Sequence, residues 1–285
     1  MSSSPSPWTR PEDWKRVLSA GLEACAAAGA VHRQYFRRED LAVETKEDET
    51  PVTASDRGAE AAIRQALREG TPELGVLGEE EGQQGDQRDR WVVDPLDGTK
   101  NFVAGLPYFA VLLGLELDGR RVLGLVHAPL LDSAAGGRTW WAVRGQGAFG
   151  GLGTVAEELN RPLRASSTSR VSDAFVTHGG LKHIHGAGFW PGFTELVQRA
   201  RRSRGFGDWW GHVLVAEGRC DAMVEGAVAF HDVAAVEVLV EEAGGGVGIP
   251  PGARVEPGYG QPYVSAAAPL LPELMEVLGL CAEAS

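Results

Sequence analysis

The segment 91–102 constrains the fold most strongly, because it requires a buried strand to end in two neighbouring carboxylates. An apolar run leads into Asp94, Pro95 forces a turn, and Asp97 follows three positions on. The next pair, Gly98-Thr99, is suited to open a helix or a nest of free N–H groups that binds anions. Two carboxylates facing such a backbone suit a divalent cation that bridges to phosphate, because Mg²⁺ is held by a few carboxylates plus substrate oxygens. Turn formation alone is the competing interpretation of this pattern.

The rest of the chain shows two patterns of predicted secondary structure. The first part carries helices and short apolar runs, followed by long β runs that meet at Asp118-Gly119, a strong hairpin signal. The later part alternates strands and helices, which indicates an α/β arrangement. A first helix is expected after the capping signal of Thr9 and Glu12, with Pro11 in its first turn and apolar positions from Trp14 to Cys25. Further helices are expected at Ser55–Arg68, at Phe193–Ala200, up to Val213–Glu217 and at Val233–Ala243. Expected strands are Gly75–Leu77, Trp91–Val93, Tyr108–Leu117, Arg121–Val126, Trp140–Val143, Phe175–Thr177 and Ala222–Val224.

Length and charge limit the classes of protein. The 285 residues correspond to about two domains, expected at 8–160 and 161–285 with the polar stretch 150–162 between them. Asp and Glu outnumber Lys and Arg by 39 to 27, a net charge of −12, which argues against a nucleic-acid partner. The sequence shows no signal peptide, no long apolar run and only three widely spaced cysteines. We therefore expect a protein of the reducing cytoplasm without a membrane partner.

Two further acidic motifs accompany the first. Glu79, Glu80 and Glu81 follow an apolar run, and Asp232 stands at the start of an expected helix. Surface solvation explains Glu81 and helix capping explains Asp232 when each is taken alone. Together, the motifs resemble the signatures of the inositol monophosphatase-like, Mg²⁺-dependent, lithium-sensitive phosphatases. The resemblance extends from about residue 44 to 267 and is carried by GEE at 78–80, DPLDGT at 94–99, DVAA at 232–235, EAGG at 242–245 and PVT at 51–53 with Asp56.

The resemblance implies a layered αβαβα fold, with α+β and α/β halves on either side of the site, and a homodimer. It assigns two or three Mg²⁺ ions to ligands that comprise four side chains and one carbonyl: Glu79, Asp94, Asp97, Asp232 and the carbonyl of Leu96. It places Glu80 and Asp56 beside these ligands or on a weaker cation site. It assigns the N–H groups of Gly98 and Thr99 to phosphate, and Thr99 with Asp56 to the attacking water. Metal ions can activate water and clamp both ester oxygens, so in-line attack needs no Ser, Cys or His nucleophile.

The substrate is expected to be recognised by the second half. Gly207-Asp208 followed by Trp209 resembles the histidinol-phosphate phosphatase branch of the family. Asp208 and Glu225 can pair with the ammonium and imidazole of that substrate through charge-assisted hydrogen bonds. Glu225 equally suits inositol hydroxyls. The Trp209-Trp210 pair suits either stacking on imidazole or packing in the core.

Other residues depart from the family pattern or match it weakly. His231 stands where many family members carry Trp before the aspartate, which affects the packing beside Asp232 and leaves open a contact with substrate. The histidines at 178, 183 and 185 lie among glycines, so we interpret them as a loop near the site in preference to a zinc site. Lys46 matches a family lysine near the site, although a surface position explains it as well.

The sequence thus predicts an enzyme that hydrolyses a small phosphate monoester with metal-activated water. The expected reaction is conversion of histidinol phosphate to histidinol and phosphate, a step of histidine biosynthesis. The alternatives are inositol-1-phosphate and a broader range of sugar or nucleotide phosphates. A regulatory protein of the same fold, which binds a partner macromolecule, is the alternative from another class.

Overall fold

The computed structural model describes residues 11–38, 40, 43–45, 51–253 and 260–281. Within these ranges the chain forms eight α-helices and fifteen β-strands. The helices are Pro11–Tyr35 (α1), Ala54–Gly70 (α2), Thr99–Val103 (α3), Leu181–Gly186 (α4), Trp190–Arg199 (α5), Asp208–Ala216 (α6), Phe230–Glu242 (α7) and Leu271–Leu278 (α8). The strands are Val43–Thr45 (β1), Pro51–Thr53 (β2), Gly75–Gly78 (β3), Gly82–Gln84 (β4), Arg90–Asp97 (β5), Ala110–Leu117 (β6), Arg120–Ala128 (β7), Arg138–Val143 (β8), Gly147–Leu152 (β9), Arg161–Pro162 (β10), Phe175–His178 (β11), Arg202–Arg204 (β12), Ala222–Val228 (β13), Gly245–Gly248 (β14) and Gln261–Ala267 (β15). Lys46 lies outside the described residues.

Two large sheets form the main layers of the described chain, and β1 and β2 pair in a third sheet of two strands. The larger has eight strands in the order β10-β9-β8-β7-β6-β5-β3-β4, and only its β3–β5 pair is parallel. The smaller has the order β12-β11-β13-β15-β14, with β11 parallel to both of its neighbours. The predicted hairpin is confirmed, since β6 and β7 pair on either side of residues 118–119.

Helices cover both sheets and fill the space between them. Helices α1 and α2 bury their apolar faces against one side of the larger sheet. Helices α6 and α7 lie between the two sheets and share one core with β6, β7, β8, β13 and β15. Helices α5 and α8 pack on the outer face of the smaller sheet. This sequence of layers confirms the expected αβαβα fold.

The structure differs from the expected elements in three places. The stretch 150–162 does not only connect two halves, because β9 and β10 within it extend the edge of the larger sheet. The region 178–188 is expected to be a loop, but residues 181–186 form α4. Helix α7 begins at Phe230, three residues before its expected start. None of the helices in the described part of the chain has the length and apolar composition to cross a bilayer.

Candidate metal centre and substrate cavity

The parallel pair β3 and β5 places two acidic residues side by side. Gly78 at the end of β3 pairs with Val93 of β5, so the residues that follow, Glu79 and Asp94, leave the sheet at the same edge. The Glu79 N–H donates to the Val93 carbonyl at 3.1 Å, which extends this register by one position. Parallel pairing therefore brings together motifs that are fifteen positions apart in sequence.

A β-bulge in β5 turns the next carboxylate toward the same place. The register between β5 and β6 shifts between Asp94 and Asp97, and the Asp94 carboxylate accepts the Leu96 N–H at 2.9 Å. Gly98 then adopts φ +92°, and a Cβ there would lie 2.9 Å from the Tyr108 carbonyl. Only glycine fits this junction, because it combines a left-handed backbone with a close backbone approach. The predicted helix opening is present as the short α3.

The second half of the chain contributes Asp232 from the first turn of α7. Its carboxylate accepts the N–H of Ala229 at 2.7 Å, which holds the side chain at the helix start. The suggestion that Asp232 is the N-cap is wrong, since Ala229 occupies that position. An acidic residue two or three positions into a helix bonds back to the cap, so it gives a sequence signal close to that of a cap.

The predicted site residues meet at a cavity of about 680 Å³ between the two halves. Ten of them line it: Glu79, Asp94, Leu96, Asp97, Gly98, Thr99, Asp208, Glu225, His231 and Asp232. Asp56 and Glu80 are outside this lining.

The carboxylates strongly perturb one another. Burial raises the pKa of Asp94 well above its ordinary value, and the neighbouring Glu79, Asp97 and Asp232 raise it further. Burial likewise raises the pKa of Asp97 well above its ordinary value, with Asp208 and Asp232 adding to the shift. The pKa of Asp232 is also raised by burial, although His231 opposes this. Cations in the cavity would offset both the burial and the mutual repulsion that raise these pKa values.

Asp56 lies behind Thr99. Its carboxylate accepts the N–H of Thr53 at 2.8 Å and the Thr53 hydroxyl at 2.5 Å, which caps α2. The other carboxylate oxygen lies 3.1 Å from the Thr99 hydroxyl, and that hydroxyl is 2.9 Å from the Leu96 carbonyl. Burial raises the pKa of Asp56. Thr99 thus links Asp56 to the cavity wall.

A buried ion pair that sequence reasoning missed fixes the loop that carries Glu79 and Glu80. Glu60 and Arg64, one turn apart on α2, form a buried salt bridge of 2.7 Å. The Glu60 carboxylate accepts the N–H of Glu80 at 2.8 Å and that of Glu81 at 3.1 Å. Arg64 also donates to the Gly82 carbonyl at 2.7 Å. The i, i+4 spacing of Glu60 and Arg64 was the available signal, but it is common on solvated helix faces.

The N-terminus of α6 joins the two halves at the cavity. The backbone N–H of Trp209 donates to the Asp97 carboxylate at 2.9 Å, and the backbone N–H of Asp208 donates to the Glu225 carboxylate at 3.1 Å. Asn101 donates to the Asp208 carboxylate at 3.1 Å. Asp208 adopts φ +53°, a conformation that Asp and Asn tolerate better than most residues.

Burial raises the pKa of Asp208, against the opposing charge of Lys100. Burial also raises that of Glu225 well above its ordinary value, and Asp208 adds to the shift. The Trp209 ring is buried against Trp140 and Trp210, which is the core-packing position considered above. The cavity therefore contains a second acidic pair, Asp208 and Glu225, beside the first cluster.

Two basic residues at the cavity, Lys100 and Lys182, were not identified from the sequence, and His183, from the histidine-containing segment that we expect near the site, lies beside them. Lys100 directly follows the aspartate motif, which was a usable signal. Lys182 and His183 lie on α4, and only the folding of the second half over the first brings them here. The other two histidines of the 178–188 segment lie elsewhere, since His178 contacts Phe193 and His185 contacts Trp190. The three histidine rings therefore have separate environments.

The donor set fits divalent cations. Carboxylate and carbonyl oxygens predominate, which are the ligands that Mg²⁺ prefers. In the described residues, Glu79, Asp94 and His231 each offer an atom within 4.8 Å of the others, a spacing suited to one ion.

Comparisons with known proteins agree with this architecture. Residues 13–278 match the model of the inositol monophosphatase family. The chain is 41% identical over 223 residues to a histidinol-phosphatase of Streptomyces coelicolor, covering 77% of this chain and 81% of that protein. It is 39% identical over 229 residues to a histidinol-phosphatase of Mycobacterium tuberculosis, covering 80% and 85%. The crystal structure of the extragenic suppressor protein SuhB from Bartonella henselae superimposes with a TM-score of 0.78 at 30% identity, covering 92% of this chain and 98% of that one.

The fold and the site define a phosphatase of the metal-dependent type. The chain belongs to the inositol monophosphatase family.

Proposed function

We propose that this phosphatase hydrolyses histidinol phosphate to histidinol and phosphate, with two or three Mg²⁺ ions in the cavity. The observation that carries the proposal is the acidic pair Asp208 and Glu225, which lines the same cavity as the cluster of Glu79, Asp94, Asp97 and Asp232. One cluster suits cations that bind phosphate, and the other suits a substrate that is itself cationic. Relatives named histidinol-phosphatase at 39% and 41% identity support this assignment.

The ions would be held by the carboxylates of Glu79, Asp94, Asp97 and Asp232 and the carbonyl of Leu96. When bound, such ions neutralise phosphate charge and lower the pKa of a water molecule. Thr99 would orient the water, and its hydroxyl would accept the water proton as it passes its own proton to the Asp56 carboxylate, 3.1 Å away. The backbone of Glu80, next to Glu79, is held by the Glu60 carboxylate, and we assign Glu80 a role beside the cations.

The phosphate group of the substrate would lie against the start of α3. The first N–H groups of a helix have no partner inside the helix, so Gly98 and Thr99 can direct N–H groups at phosphate oxygens. Lys100, which also lines the cavity, adds a positive charge to the same short segment.

The remainder of the substrate would be oriented by Asp208 and Glu225. The Asp208 carboxylate is held by Asn101, and its backbone N–H is bonded to Glu225, so both acidic side chains are fixed before substrate binds. A carboxylate that is fixed in advance binds an ammonium or imidazolium group with less loss of conformational entropy. Inositol lacks a positive charge and would gain less from Asp208.

A phosphate-release assay over four substrates tests the proposal: histidinol phosphate, inositol-1-phosphate, fructose bisphosphate and p-nitrophenyl phosphate. We expect the highest kcat/KM for histidinol phosphate. A higher value for inositol-1-phosphate would overturn the substrate assignment and leave the phosphatase class intact.

The variant Asp208→Asn tests the role of the charge alone, because Asn tolerates the same left-handed backbone. We expect kcat/KM for histidinol phosphate to fall roughly tenfold to hundredfold, the range for loss of a charge-assisted hydrogen bond of 1.5–3 kcal/mol. The value for p-nitrophenyl phosphate should change much less. Asp118→Asn is the matched control, since Asp118 also has a positive φ, of 49°, and lies in the β6–β7 turn. Equal losses on both substrates would contradict the recognition role.

We extend the proposal to a cytoplasmic homodimer that lithium inhibits. Light scattering of the purified protein tests the dimer, and a lithium titration at fixed Mg²⁺ tests the inhibition.

A further inference from the structure

His231 lies among the acidic residues of the cavity, with a ring nitrogen close to two of their carboxylates. It occupies the first turn of α7, immediately before Asp232, and its side chain is only about a quarter exposed. Its Nε2 atom is 3.3 Å from an Asp232 carboxylate oxygen and 3.7 Å from a Glu79 carboxylate oxygen. The ring nitrogen is therefore directed at two of the side chains assigned to cations.

The spacing matches that of ligands around one ion. One ring nitrogen of His231 and one oxygen from each of Glu79 and Asp94 all lie within 4.8 Å of one another. Ligand atoms at about 2.0–2.2 Å from an ion are roughly 3–4.4 Å apart, so only a small adjustment brings these three onto one ion.

We propose that His231 is a nitrogen ligand of one of the cations, and that it shifts the metal preference of this site toward a first-row transition ion. The inference rests on the proposed function, in which the neighbouring carboxylates hold cations. Mg²⁺ binds oxygen ligands almost exclusively, whereas imidazole suits ions such as Co²⁺ and Zn²⁺. One imidazole among carboxylates therefore lowers the relative advantage of Mg²⁺ at this position.

An imidazolium ion between the carboxylates is the competing arrangement. A protonated His231 would itself neutralise Glu79 and Asp232, and it would exclude a cation from the space between them. The two arrangements differ in whether a bound metal ion contacts nitrogen, and that contact can be measured without any assay of activity.

Electron spin echo envelope modulation on the Mn²⁺-loaded wild-type protein measures the contact directly. We expect a coupling typical of a directly bound imidazole nitrogen, and we expect it to change in the characteristic way when the protein is labelled with ¹⁵N-histidine. This measurement needs no variant, so it holds even if substitutions at 231 impair folding. Mn²⁺ bound without any nitrogen coupling would overturn the proposal.

Two variants assign the signal to one ring. His231→Gln should abolish the nitrogen coupling, whereas His183→Gln, which removes another histidine at the cavity, should leave it unchanged. Calorimetric titration of the metal-free proteins should show that His231→Gln lowers the ratio of Co²⁺ to Mg²⁺ affinity by roughly tenfold or more. An unchanged ratio, or tighter binding of both ions, would overturn the proposal in favour of the imidazolium.

The same titrations separate this proposal from the function on which it rests. If Mg²⁺ and Co²⁺ both bind the wild-type protein and Asp94→Asn abolishes both, the carboxylate site stands and only the role of His231 is in question. If neither ion binds the wild-type protein, both proposals fail.

Discussion

His32 donates a hydrogen bond from Nε2 to the carbonyl of Pro95 at 2.8 Å, and its side chain is completely buried. Because a carbonyl can only accept, the ring carries its proton on Nε2, and Nδ1 accepts from the Ser55 hydroxyl at 2.9 Å. Burial lowers the pKa of His32 to about 4, so the ring is neutral near pH 7. It therefore connects α2, one residue from Asp56, to the strand segment between the two aspartates of β5.

Replacement of His32 by Phe should weaken cation binding as well as the fold. A phenyl ring can keep the edge-on contacts that His32 makes with Phe102 and Phe109, at 6.0 and 5.6 Å between centroids. Both hydrogen bonds are lost, which should cost about 1–3 kcal/mol in the free energy of unfolding. We also expect the Mg²⁺ concentration for half-maximal phosphate release to rise several-fold, because Pro95 is no longer fixed.

His127→Phe is the matched control for that prediction. His127 is equally buried and bonds to Thr139 at 2.9 Å, but it lies on β7 and makes no hydrogen bond to the aspartate strand. Urea denaturation should show destabilisation in both variants, whereas only His32→Phe should change the Mg²⁺ requirement. If His127→Phe changes the Mg²⁺ requirement as much as His32→Phe does, His32 does not position the aspartate strand.

Buried histidines should make the protein less stable in mild acid. Burial lowers the pKa of His127 and of His212 to about 3. Below about pH 6.5 the unfolded chain takes up a proton at each of these rings, while the folded protein does not until the pH approaches the lowered values. The unfolded state then binds more protons, so the contribution of each ring to stability is lost as the pH falls below 6.5.

The variant His127→Phe isolates one of these contributions, because the raised pKa values of the cavity carboxylates act in the opposite direction. Between pH 7 and pH 5, the free energy of unfolding of the wild type should fall by about 2 kcal/mol more than that of the variant. Urea denaturation at both pH values, in EDTA, gives the comparison. An equal loss in the two proteins would show that His127 is charged in the folded state or stays neutral in both states.

The sequence could predict the parts of the site that depend on local order. Glu79 and Asp94 each come directly after a predicted buried strand, and the family resemblance placed both at one site; parallel pairing of the two strands is what joins them. Gly98-Thr99 predicted the opening of a helix, and the left-handed backbone of Gly98 explains why glycine stands there. These signals depend on a few consecutive residues, so they can be interpreted without knowledge of the fold.

Other features depend on packing between distant elements, and no local pattern carries them. His32 lies near the end of α1, and its hydrogen bonds form only because α1, α2 and β5 meet. Lys182 reaches the cavity only because α4 follows a strand of the smaller sheet. Helix α7 begins before its expected start because the apolar spacing used to find it begins at Val233, although Phe230 is also buried.

Removal of single carboxylates should separate cation binding from folding. Glu79→Gln and Asp97→Asn should each lower Mg²⁺-dependent activity by roughly hundredfold or more. Loss of a residue that only hydrogen-bonds a metal ligand already lowers activity by roughly tenfold to hundredfold, and loss of the ligand itself should cost at least as much. The folded pKa of Asp97 is raised, so its ionised form destabilises the metal-free protein at pH 7. Asp97→Asn should therefore raise the Tm in EDTA and shrink the increase in Tm that Mg²⁺ produces in the wild type.

Asp118→Asn is the control for these measurements, because Asp118 lies in an exposed turn. It should leave both the activity and the effect of Mg²⁺ on Tm unchanged. Activity of Glu79→Gln or Asp97→Asn within a few-fold of wild type would contradict the assignment of these residues to cations.

The hydroxyl of Thr99 should matter for turnover more than for binding. It lies 3.1 Å from Asp56 and 2.9 Å from the Leu96 carbonyl, so its single proton is shared between two acceptors. Thr99→Val keeps the shape and the backbone N–H but removes the hydroxyl, and it should lower kcat by about 10²-fold or more, the range for lost acid–base catalysis. KM and the Mg²⁺ requirement should change by only a few-fold, and Thr99→Ser should retain most of the activity. A comparable rise in KM with unchanged kcat in Thr99→Val would instead show that the hydroxyl binds substrate, because an interaction made equally in the ground and transition states changes only KM.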